Sequence, residues 1–163
     1  MFVKPGARIT KTVLAVVTSM LFAYFITGNY SAIAPISAVV TLKESTQDSI
    51  TTGLERIIGT VFGSVLSLVY IYTSINFFDL HNFIILTIST GVLSFISLWI
   101  NKSLKFGAGS AANSVILIII VLNGYFHNTD AIILNTIHRT IETSIGIICA
   151  VLINRYIYIS SKK

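Results

Sequence analysis

The sequence predicts an all-α polytopic membrane protein, with six transmembrane helices in two inverted three-helix repeats and both termini cytoplasmic. Three observations predict it. Of 163 residues, 54% are hydrophobic and 10% charged, against about 25% charged in a typical soluble domain. The basic residues gather on alternate connections between apolar segments. A short motif recurs in the third and sixth segments at a fixed offset of 83.

Mean hydropathy is +0.85. So apolar a chain calls for lipid as its solvent, and it is too poor in charge for disorder. One cysteine, Cys149, excludes a disulfide scaffold. The net charge of +5 has no basic stripe with interleaved aromatics, so it does not point to nucleic acid. In a membrane chain, basic residues report orientation.

A spanning helix needs about 20 mostly apolar residues. The candidates are Thr12–Thr27, Tyr30–Leu42, Ile57–Phe78, Asn82–Ile100, Ala108–Asn123 and Ala131–Ile157. The second is short and contains Pro35. With the N-terminus inside, Lys4, Arg8, Lys11, Lys43, Arg56, Lys102, Lys105, Arg155, Lys162 and Lys163 all fall inside. The connections at Gly28-Asn29, Asp79–His81 and Gly124–Asp130 fall outside and carry no Lys or Arg. This bias fixes six spans with both ends inside, so a multi-pass membrane protein is expected. If the second segment did not cross, the bias would be lost. The basic start followed by an apolar run resembles a signal peptide, but no small-residue cleavage site follows, so a retained first helix is expected.

The chain reads as one domain, 1–163, with repeat units at about 8–78 and 82–157. Arg56-x3-Thr60-x2-Gly63 returns as Arg139-x3-Thr143-x2-Gly146. The same offset pairs Ile50 with Ile133, Ile58 with Ile141, and Ser31 with Ser114. The third span starts inside and the sixth outside, so the units run antiparallel, as in many transporters. Ser45-Thr46-Gln47-Asp48 reads as a helix start close to a capping box, and Asn128-Thr129-Asp130 as a similar cap.

No catalytic constellation, metal-ligand cluster or nucleotide-binding loop is present in the sequence, so no enzyme, metal or cofactor is expected. The charges inside spans are the informative residues. Arg139 lies about 12 Å into its span, where an arginine costs about 2.5–3.5 kcal/mol on insertion scales. It faces either a wet cavity or a partner, and Glu142 one turn on is the obvious partner. Glu142 thus balances Arg139 or carries a coupling proton. Arg56 has no acid one turn on and either attracts an anion or snorkels to the interface. Thr60 and Thr143 follow the arginines by one turn and are candidate hydrogen-bond donors to a substrate. Gly59 with Gly63, and Gly146 with Ala150, are small-xxx-small steps that let helices approach closely. Pro35 and the Gly107–Asn113 run fall at matching places in the two halves, where interrupted helices mark transport sites.

The opening Gly6-Ala7-Arg8-Ile9-Thr10-Lys11-Thr12 resembles the G-x-R-x-x-K-T start of the bacterial aromatic acid exporter family. Glu55–Thr60 with Gly63 resembles the R-x-x-G-T-x-x-G signature of the wider fusaric-acid-resistance-like superfamily, and Gly146–Asn154 resembles the end of its last helix. The resemblance covers about residues 5–157. It implies a six-helix membrane domain that exports aromatic or other organic carboxylates, with Arg56 and Arg139 as the anion-attracting residues. Larger relatives carry two such units or a soluble extension. This chain ends at Lys163, which implies a homodimer. The expected partners are therefore the bilayer, a small organic anion and a second copy. The rival readings are a non-transporting scaffold subunit and an exporter of envelope lipid or polymer.

Overall fold

The computed structural model describes residues 6–28, 30–74, 82–127 and 132–157. The expected connection at Asp79–His81, the cap at Asn128–Asp130, and the basic residues Lys4, Lys162 and Lys163 lie outside them. The described residues form six helices: α1 Ala7–Thr27, α2 Ile33–Thr41, α3 Thr46–Ser74, α4 Phe83–Ser103, α5 Ala108–His127 and α6 Ile132–Tyr156.

Local chemistry sets the ends. Gly28 closes α1 in the left-handed conformation at φ 70°, its N–H donating to Tyr24 O, a geometry that favours glycine. The Ser45 hydroxyl accepts from Asp48 N at 3.0 Å and caps α3. The Asn82 side chain accepts from Ile84 N and caps α4.

Among the described residues, α1, α3, α4 and α6 are long and apolar enough to cross a membrane. The second expected span is much reduced. α2 has nine residues, about 14 Å of helix, and cannot by itself cross a core about 30 Å thick. Pro35 is the third residue of α2, not an interruption of it. Its missing N–H falls among donors that a first turn leaves unpaired anyway.

The chain divides into two compact units. One holds residues 1–54 and 141–163; the other holds 55–140. The first therefore contains α1, α2, the start of α3 and the greater part of α6. Its core is small: Ala15, Ala23, Ala34, Ala38, Cys149 and Ala150, with Leu42, Ile145 and Ile153. The second contains most of α3, then α4, α5 and the start of α6. Its core is Ile71, Leu86, Leu93, Ile118, Val121 and Leu122.

Polarity runs opposite to that of a soluble protein. Ser19, Ser37, Ser67, Ser97, Asn101 and Ser114 are completely buried, while Phe25, Phe95 and Trp99 are 78%, 72% and 65% exposed. In water such a surface would aggregate. In lipid it is the solvated face, and small or polar residues hold helices together.

Candidate functional site

In the second unit, α3 and α5 meet almost backbone to backbone. A methyl group on Gly59 would strike the Ser110 carbonyl, and one on Gly63 would meet Ser114 O and Leu117. This proximity lets Asn113 on α5 reach α3. Its amide donates to Arg56 O at 2.9 Å and to Thr60 Oγ1 at 2.5 Å. The Thr60 hydroxyl itself donates to Arg56 O at 2.8 Å. The Arg56 backbone is thus held twice, and its side chain leaves a half-buried position. To reach a substrate, the Thr60 hydroxyl must first leave that carbonyl.

One residue before Arg56, the Glu55 carboxylate accepts from Gly109 N at 3.1 Å. It sits on the first turn of α5, where the helix dipole favours negative charge. Side chains at Gly107 or Gly109 would collide with it. The Gly-rich run is therefore a seat for Glu55. From the next residue of α5, Ser110 Oγ donates to Asn101 Oδ1 at 2.8 Å, and Asn101 Nδ2 donates to Ser97 O at 2.8 Å. Arg139 also belongs to this unit, half-buried on α6.

The first unit holds Glu142, Thr143 and Pro35. Glu142 and Thr143 are buried. The Ser31 hydroxyl donates to Glu142 Oε2 at 2.5 Å and accepts from Ile33 N at 3.1 Å. A carboxylate on α6 thereby serves the start of α2. Asn154, twelve positions further along α6, serves the other end. Its amide donates to Lys43 O at 3.0 Å and Ser45 O at 3.1 Å. In between, a side chain on Gly146 would strike Ala34 O and Ser37, and Ala150 is fully buried beside Ala15 and Ala38. Pro35 lines a shallow apolar opening of about 240 Å³ with Val16, Ile36, Val39 and Val40.

The structure therefore joins Arg56 with Thr60 through Asn113, and Glu142 with the start of α2. Pro35 takes no part in either polar group. Sequence reasoning missed Asn113, Glu55, Asn101 and Asn154 as organising residues. The signal was present: side-chain amides and acids in apolar helices are expensive unless partnered.

A model of the aromatic acid exporter family, described as aromatic acid exporter family member 1, matches residues 3–157. No curated protein and no solved structure matches the chain. The match spans all of the described helices, and the chain belongs to the aromatic acid exporter family, as a multi-pass membrane protein.

Proposed function

We propose that this chain exports organic anions, aromatic carboxylates in particular, across the inner membrane of a bacterium, and that it works as a homodimer. The observation that carries this reading is Arg56, a half-buried guanidinium on a span-length helix whose backbone is fixed by Asn113 and Thr60. A cation in low dielectric attracts an anion more strongly than one in water. Arg139, at the matching place in the second repeat, supplies the other attracting charge. Thr60 in the second unit and Thr143 in the first are each a hydrogen-bond donor to the anion, and Glu142 is an acid for charge balance or proton coupling.

Packing supports the repeat. Gly63 sits against Leu117, and Gly146 against Ala34. Both partners of the first contact are displaced from those of the second by 83 positions, the offset of the motif. The alternation of basic residues supports cytoplasmic termini, with α2 and its non-helical flanks making the second crossing together. Irregular backbone at membrane depth needs partners from the protein, and Glu142, through Ser31, and Asn154 provide them at the two ends of α2.

The test is flux of benzoate-like acids in proteoliposomes. Wild type should exceed protein-free vesicles, and Arg139→Ala or Arg56→Ala should fall toward background. Equal flux in wild-type and empty vesicles would overturn the reading. The close packing at Gly59, Gly63 and Gly146 favours a rival, a scaffold subunit, which the same null result would support.

A further inference from the structure

The first unit carries a cationic opening that the transport reading does not use. About 330 Å³ in volume, it lies among Arg8, Lys11, Leu42, Lys43, Glu44 and Asn154. That volume suits a small ligand. Three cations face one acid there. Among the described residues, neither Lys11 nor Lys43 has an ion-pair partner, while Arg8 reaches Glu44 at 3.2 Å. That pair is well exposed on both sides, so it is weak and easily exchanged for another anion.

The opening is framed. Lys11 Nζ donates to Asn154 O at 3.2 Å and to Asn154 Oδ1 at 3.1 Å. The same asparagine donates to Lys43 O, and Ser49 Oγ accepts from Lys43 N at 2.9 Å. One buried residue thus fixes both the Lys11 ammonium and the backbone that bears Lys43. The first turn of α1 borders the same opening, and its N-cap, Gly6, offers no side-chain cap. Its amides add to the positive potential.

We infer that this opening is a second anion site, taking one oxyanion, phosphate or carboxylate, between Arg8, Lys11 and Lys43. A guanidinium and two ammonium groups match such a group in charge and in donor number. The inference gives the opening motif of the chain, with Arg8 and Lys11, a binding role separate from that of Arg56 and Arg139. The oxyanion comes either from solution or from the headgroup of an acidic phospholipid, which juxtamembrane lysine and arginine also attract.

The experiment uses the full chain in nanodiscs of a zwitterionic lipid. Inorganic phosphate and benzoate are titrated in one arm; in the other, phosphatidylglycerol is mixed into the disc and its retention measured by native mass spectrometry. Wild type should bind in at least one arm. Lys43→Gln and Lys11→Gln should weaken that binding about tenfold, and Glu44→Gln, which removes the competing acid from an exposed site, should tighten it. Saturation by free anion identifies a solution ligand; retention of phosphatidylglycerol alone identifies a headgroup. Binding that is equal in wild type, Lys43→Gln and Glu44→Gln, or absent from both arms, would overturn the inference. Transport plays no part in the readout, so a failed flux assay leaves this result independent.

Discussion

Ser31 and Glu142, 111 positions apart in the chain, share a hydrogen bond of 2.5 Å in which the hydroxyl donates to a buried carboxylate. The same hydroxyl oxygen accepts the Ile33 N–H. A single serine therefore links the start of α2 to an acid of α6. Removing it leaves the carboxylate short of a donor and the helix short of a cap. Ser31→Ala should lower stability by about 1–3 kcal/mol, read as a lower midpoint of thermal unfolding in detergent. Glu142→Gln, which retains a side-chain acceptor, should cost less.

The contact of Gly63 with Ser114 and Leu117 makes a size test. Gly63→Ala places a methyl group against backbone and should destabilise by about 1–3 kcal/mol. Gly91 lies on a helix with open space around it, so Gly91→Ala should be neutral or stabilising, by up to about 1 kcal/mol. Equal effects at the two positions would contradict the packing described.

Asn113 and Thr60 should be energetically coupled. Interhelical hydrogen bonds in membranes average about 0.6 kcal/mol and reach about 1.7. A double-mutant cycle of Asn113→Ala with Thr60→Val should return coupling of that order. In a carrier of anions the pair also sets the Arg56 backbone, so Asn113→Ala should reduce flux without removing a charge.

Glu55 should matter for the start of α5. Glu55→Gln keeps an acceptor for Gly109 N and loses the charge on the dipole, a change of about 0.3–1 kcal/mol. Amide exchange at residues 109–111 should quicken in the variant. High salt should shrink the difference between variant and wild type.

The helices were legible because lipid makes an unbroken demand for apolar length, and α1, α3, α4 and α6 meet it. α2 was the weak point. Apolarity from Tyr30 to Leu42 hid the fact that a nine-residue helix can be held at both ends by side chains of α6. Such partners come from more than 100 positions away and leave no local pattern. Glu55 illustrates the same limit. Its neighbour in sequence, Arg56, drew attention as a charge in a span, whereas the glycines that receive Glu55 lie on another helix. The periodicity of small residues marked Gly59 and Gly63, but nothing in the sequence alone named Ser110 and Ser114 as what they touch.

The division of the chain has a consequence for biosynthesis. Residues 55–140 form one unit from a continuous stretch, whereas the other unit joins 1–54 to 141–163. A ribosome delivers the N-terminus first, so α1 and α2 enter the membrane long before the part of α6 that they pack against exists. The interior unit can close on its own schedule. The flanking one must wait for α6, holding Ser31, Ala34 and Lys11 without Glu142, Gly146 and Asn154 until that helix is made. Among the six helices, α1 and α2 are thus made before the others and secured after them.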